Sequence, residues 1–137
     1  MAIPDRLRTA PNTILVFGSN LSGIHGAGAA AYAANYWDAQ WGIGEGLTGK
    51  SYALPTKGVN ITYMSLTKVA GHIQTFIEFA ENHPEMDFIV TCVGCGLAGF
   101  KHEEVAPLFK QAPMNCLFDT NWEPILGKVG RTYWGTF

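Results

Sequence analysis

Hydrophobic residues in this chain fall into two patterns, short continuous runs and longer runs that recur at three and four residues. Apolar stretches at 14–17, 52–54, 88–93 and 116–118 are short, bounded by turn residues and not alternating. These properties predict strands buried on both faces. Between them lie helical patterns. AAAYAANYW, residues 29–37, is rich in alanine, lacks β-branched residues and runs into the glycines of WGIGEG, which predicts a helix that starts after Gly28 and stops there. Across 67–82, Val69, Ile73, Phe76, Ile77 and Ala80 repeat on one face and His83-Pro84 ends the run, the pattern of an amphipathic helix. A third helix is expected over 102–112, with Val105, Leu108 and Phe109 on one face and Pro107 in an early turn or at a bend. Alternating strand and helix is the order of an α/β fold, with a mostly parallel sheet carrying helices on both faces. The tail from Asn121 onward shows no assignable element, and its tryptophans, Trp122 and Trp134, are expected to cover part of the surface.

Length and charge narrow the picture. The chain has 137 residues, enough for a single domain spanning 1–137 with one sizeable core. Nine Lys and Arg against 11 Asp and Glu give a net charge of -2 without a basic run, so duplex nucleic acid is not an expected partner. Cys92, Cys95 and Cys116 are an odd number and indicate neither a disulfide framework nor a zinc site, which points to a reducing, cytoplasmic setting. The first residues lack the apolar segment of a secretory signal, and no apolar run approaches a membrane span. No metal and no cofactor is called for by any spacing.

The candidate chemistry lies in two glycine-rich segments, each between a strand and a helix. VFGSNLSGIHGAGAA, residues 16–30, leads into the first helix, and TCVGCGLAGF, residues 91–100, follows the third strand. In open α/β sheets ligands bind beyond the carboxyl ends of the strands, where a helix start offers unpaired N–H groups and a positive dipole end to an anion. Two such loops with little charge suggest walls around one phosphorylated ligand held by backbone amides. The string Gly94 to Gly99 also satisfies G-x-G-x-x-G, with Asp119 at the end of the next strand, as in a dinucleotide fingerprint. A nicotinamide oxidoreductase is therefore an alternative reading, although the residues after Asp119 show no further βα unit to complete such a half-domain. A non-enzymatic interaction module, in which the glycines only turn the chain, is another.

GSNLSGIHGAGAA, then SYALPTK at 51–57, then VGCGLAGF at 93–100 ahead of an amphipathic helix, together resemble the macrodomain superfamily. The likeness is greatest to the small macrodomains that include the terminal ADP-ribose glycohydrolases and many bacterial and phage proteins, and it runs over about 14–118. It implies a three-layer α/β/α macrodomain-like fold binding ADP-ribose, or an ADP-ribosylated substrate, with the diphosphate between two glycine loops. By position, Asn20 is similar to the polar residue near the distal ribose, and Gly26, Ala27 and Gly28 to the first loop. Gly94, Cys95, Gly96 and Leu97, continuing through Ala98 and Gly99, resemble the second, and Phe100 would pack on the distal ribose. Lys57 stands where the glycohydrolase branch has a lysine that attacks the anomeric carbon. An aspartate follows G-C-G-L in that branch, where this chain has Ala98. Macrodomains also open with an extra strand and an aspartate that reads the adenine, and here Asp5 is the acidic residue ahead of the first strand.

The resemblance leaves binder and hydrolase both open. If the protein hydrolyses an ADP-ribosyl linkage, Lys57 is the expected nucleophile, with His25 or Glu45 assisting. Each has a plainer reading as a loop residue. Cys95 is expected to be a small packed thiol, His72, His83 and His102 helix-surface or helix-end residues, and Tyr36, Trp37, Phe76 and Phe79 core aromatics.

Overall fold

The computed structural model describes residues 3–136. A six-stranded sheet in the order β2-β3-β1-β4-β5-β6 forms its centre. The strands are β1 (Thr13–Asn20), β2 (Gly46–Thr48), β3 (Ser51–Lys57), β4 (Asp87–Val90), β5 (Cys116–Asp119) and β6 (Thr132–Gly135). All neighbouring pairs are parallel except β2 with β3. The helices are α1 (Asp5–Arg8), α2 (Gly28–Tyr36), α3 (Leu66–Glu81), α4 (His102–Val105) and α5 (Glu123–Leu126). The expected mixed α/β fold with a mostly parallel sheet is thus present.

Alternation along β1 divides the interior. Ile14 and Val16 belong to one buried cluster, Leu15 and Phe17 to another, and successive strand residues point to opposite faces of the sheet. The larger cluster takes the apolar face of α3, Val69, Ile73, Phe76, Ile77 and Ala80, against Tyr52, Leu54, Phe88 and Val90. Phe76 meets the rings of Tyr52, Phe88 and Phe109 at 5.0, 5.3 and 6.2 Å, with steep interplanar angles, the edge-on arrangement that aromatic quadrupoles favour. On the other face α2 contributes Ala30 and Ala33, whose small side chains let it lie close to Leu15, Phe17 and Ala53.

Local chemistry sets the ends of these elements. Ser65 caps α3, its hydroxyl accepting from the Lys68 amide at 3.3 Å, which supplies one of the orphan donors at a helix start with an acceptor. The side-chain amide of Asn115 donates to the carbonyls of Ala80, His83 and Met86 at the other end. β4 stops at Val90, short of the expected end at 93, because Thr91 turns its hydroxyl onto the Val16 carbonyl at 2.7 Å and the Val93 amide bonds back to Thr91. The helix expected over 102–112 is four α-helical residues followed by a 3₁₀ turn, Ala106–Phe109, since Pro107 has no N–H to continue the α ladder.

The tail differs most from expectation. Residues after Asp119 form a 3₁₀ turn, the short α5 and β6, which pairs parallel with β5. A further connection and strand therefore do follow Asp119. Trp122 and Trp134 are buried, not surface covers. The indole N–H of Trp134 donates to the Val90 carbonyl at 3.0 Å, and that of Trp122 to Nδ1 of His102 at 2.9 Å, so each polar handle is satisfied inside the fold. Among the aromatics expected in the core, Trp37 and Phe76 are fully buried, Phe79 packs at its margin, and Tyr36 is exposed. Among the described residues no helix is long and apolar enough to cross a membrane.

Candidate functional site

β1 hands the chain to α2 on one face of the sheet, and the adjacent β4 hands it to α4, which packs on the other. Two connections that leave neighbouring strands toward opposite faces open a crevice between them. A cavity of about 580 Å³ lies there, within the size range of small-molecule and cofactor sites. Its walls include Asn20, Gly26, Ala27 and Gly28 from the first loop and Gly94, Cys95, Gly96, Leu97 and Ala98 from the second, with Lys57 at the end of β3. Residues far apart in sequence and singled out on different motifs thus meet in one place.

Backbone donors are its most distinctive feature. Between β1 and α2, the amides from Gly26 to Ala30 have no acceptor within the described protein, and neither have those of Gly94, Gly96, Leu97 and Ala98. Unpaired amides persist where water or a ligand can reach them. The second loop is shaped by a turn in which the Cys95 amide bonds the Cys92 carbonyl at 3.1 Å, while Gly94 takes φ +78°. That conformation suits glycine at the third position of a turn. Space acts in the same direction: a Cβ on Gly94 would lie 3.3 Å from Cδ2 of Phe100 and 3.4 Å from Cγ2 of Thr56.

Several expected site residues have other employment. Asn20 lines the cavity, yet its side-chain amide donates to the Ile24 carbonyl at 2.8 Å and its oxygen accepts from the Ile24 amide at 3.1 Å. Both polar atoms hold the first loop in shape. His25 is 1 % exposed and is not part of the cavity wall. Its ring meets Phe17 edge-on at 5.2 Å and lies 6.1 Å from Trp41, with Nε2 bonded to the Gln40 carbonyl at 3.1 Å and Nδ1 without a partner. The loop packs down through His25. Glu45 is outside the cavity and its carboxylate accepts from Nδ1 of His72 on α3 at 2.7 Å. Phe100 and Gly99 are not part of the cavity wall; the Phe100 ring lies beside Gly94 and 6.3 Å from that of Tyr63. Asp5 is exposed and paired with Arg8 at 3.2 Å within α1.

The cavity also holds residues that local sequence reading did not place there. Asp119, 1 % exposed at the end of β5, stands in its wall with Cys92, Thr56, His102 and Asn121. Its carboxylate accepts from the Asn121 amide at 2.8 Å and from the Thr136 hydroxyl at 3.3 Å, and the Cys92 thiol is hydrogen-bonded to it. Burial, then the Asp119 carboxylate, pushes the Cys92 thiol far up from its ordinary value. Burial, then Glu103 and Glu104, raises Cys95 to about 11. Both thiols keep their protons at neutral pH, as packed thiols do. The C-x-x-C spacing of Cys92 and Cys95, and the strand-end position of Asp119, are the signals that mark these residues in the sequence.

Three strand spacings of about 4.8 Å separate β3 from β5, so Lys57 and Asp119 stand on opposite flanks of the crevice. Among the described residues no carboxylate is ion-paired with Lys57. No cluster of metal-ligating side chains occurs among the described residues. The G-x-G-x-x-G string at 94–99 leads into the four-residue α4 and not into a long helix of the kind that a dinucleotide fingerprint uses. Comparison of the chain with family models, curated proteins and solved structures gave no match.

Proposed function

We propose that the chain is a three-layer α/β/α protein of macrodomain type that binds ADP-ribose or a related ADP-ribosyl nucleotide in the crevice between β1 and β4. One observation carries this reading: two separate runs of unpaired backbone amides, Gly26 to Ala30 and Gly94 to Ala98 apart from the bonded Cys95, border the same cavity. A diphosphate offers the acceptors such amides need, and the N-terminus of the nine-residue α2 adds a favourable dipole. Ile24, Ile61, Val93 and Leu97 supply apolar wall for the nucleoside parts. Among the described residues the cavity wall carries one lysine, Lys57, and one side-chain carboxylate, Asp119, so binding would depend on amides more than on charge pairs.

Hydrolysis of an ADP-ribosyl linkage is a second reading, favoured by Lys57 in that same wall. An amine there could attack an anomeric carbon presented by a bound ribose. The carboxylate absent at Ala98 would have to be supplied from elsewhere, and among the described residues Asp119 brings one to the cavity wall.

Calorimetric titration of the protein with ADP-ribose, with AMP and NAD as controls, tests the proposal. Saturable heat for ADP-ribose, stronger than for either control, is the expected result. Absence of heat at millimolar ADP-ribose, together with no displacement by it of any other nucleotide, would remove the nucleotide-site reading.

A further inference from the structure

Cys92 and Cys95 form a pair that the nucleotide reading leaves unused. They are the first and last residues of the turn closed by the Cys95 amide and the Cys92 carbonyl. Such a turn holds its end Cα atoms within about 7 Å, and a disulfide spans Cα separations of about 4.4 to 6.8 Å. Both side chains pack against the same hydrophobic cluster, both residues line the cavity, and Cys95 is among the groups felt electrostatically by the Cys92 thiol. Neither is fully buried, whereas Cys116 is. Cys95 reaches only a weak contact, 3.6 Å from the Val93 carbonyl, and Cys92 is hydrogen-bonded to Asp119.

We propose that Cys92 and Cys95 are a redox-active dithiol in the cavity wall, converted by low-molecular-weight disulfides such as oxidised glutathione into a bridge within the loop. The sulfur of Cys95 gives its proton to solvent, attacks one sulfur of the reagent, and releases one molecule of thiol. In the resulting mixed disulfide Cys92, its proton lost to solvent base, attacks the Cys95 sulfur and releases the second, and the two released thiolates take up the two protons. The protein loses two electrons and two protons, and the reagent is reduced to two thiols. Because both thiols hold their protons firmly, the exchange is slow at neutral pH and accelerates as the pH rises. The bridge closes beside the unpaired amides of Gly94 and Gly96, and it depends on the turn geometry whatever ligand those amides hold.

The test is incubation of the full chain with oxidised glutathione, acid quenching, denaturation and alkylation, read by mass spectrometry. Untreated protein should take alkyl groups on Cys92, Cys95 and Cys116. Oxidised protein should take one on Cys116 alone, with no retained glutathione and with Cys92 and Cys95 linked within one peptide. Cys92→Ser should instead retain glutathione on Cys95, and Cys95→Ser should form no bridge, with each variant's fold checked by circular dichroism. A glutathione adduct that persists on the wild-type protein, a bridge to Cys116, a bridge between chains, or full alkylation after treatment would each overturn the proposal. Since no nucleotide is added, failure of ADP-ribose to bind in calorimetry leaves this result to stand or fall by itself.

Discussion

Asn20 and Lys57 face each other across the parallel register of β1 and β3, immediately after a shift that sets Ser19 opposite Pro55 and skips Thr56. Successive residues of a regular strand point to opposite faces, and a bulge re-aims them. Here Thr56 and Lys57 both reach the cavity wall. The irregularity thus delivers the lysine to the crevice, beside a loop that Asn20 holds closed. If the protein is a hydrolase, Lys57→Ala should lower turnover of an ADP-ribosylated substrate at least about 100-fold, while calorimetric affinity for ADP-ribose stays within a few fold. Unchanged turnover in a folded variant would take Lys57 out of the mechanism.

Gly94→Ala tests the second loop. The substitution places a Cβ at φ +78° and against Phe100 and Thr56, a combination expected to cost about 1 to 3 kcal/mol. Urea denaturation should show that loss, and ADP-ribose affinity should fall by more than the stability change explains, because the amides of Gly94 and Gly96 shift with the turn. Gly96→Ala is the control, since a Cβ there meets nothing within 4 Å. If both variants bind equally well, the loop does not carry the ligand.

Strongly periodic or continuous apolar runs were legible in the sequence. Those containing Val16, Leu54, Phe88 and Phe118 all became strands, and α3 begins and ends within a residue of its expected bounds. Elements whose identity depends on tertiary partners were not. β2 is three residues long and exists by pairing with β3, and β6 is defined by its ladder with β5, neither of which local pattern can reveal. The two glycine loops were readable because glycine answers to backbone geometry. Their employment of neighbours was not: the burial of His25 beneath Trp41 and the pairing of Glu45 with His72 arise from loops folding onto other elements. Asp119 stood out only as a strand-end acid in a dinucleotide pattern, because its nearness to Cys92 depends on sheet order.

Glu45→Gln should leave any turnover unchanged. The carboxylate lies outside the cavity and bonds His72 at 2.7 Å, both side chains being partly solvent-accessible, and such pairs contribute at most about 1 kcal/mol. Thermal unfolding should therefore move little. A large fall in turnover with the fold intact would return Glu45 to the chemistry and require the loop at 42–46 to swing inward.

Stability should decline in alkali, and Cys116 identifies one source. It is 1 % exposed at the start of β5, within the larger cluster, and burial pushes its thiol from 9.0 up to about 12, with Arg131 pulling the other way. The unfolded chain releases this proton near the ordinary value while the folded one retains it. Below pH 9 the group is therefore neutral in both states and costs nothing, whereas between pH 9 and 12 ionisation favours the unfolded chain more with each step. The expected loss from this group reaches about 2 kcal/mol by about pH 10.5. Cys92, Cys95 and Tyr52 are also raised, so the wild-type slope exceeds that of one group. Replacing Cys116 by alanine removes the proton but not the others, and urea midpoints of Cys116→Ala should begin lower and fall less steeply over this range. Parallel slopes for the two proteins would mean that Cys116 ionises as readily folded as unfolded, which its packing among Phe88, Phe109 and Phe118 in the larger cluster argues against.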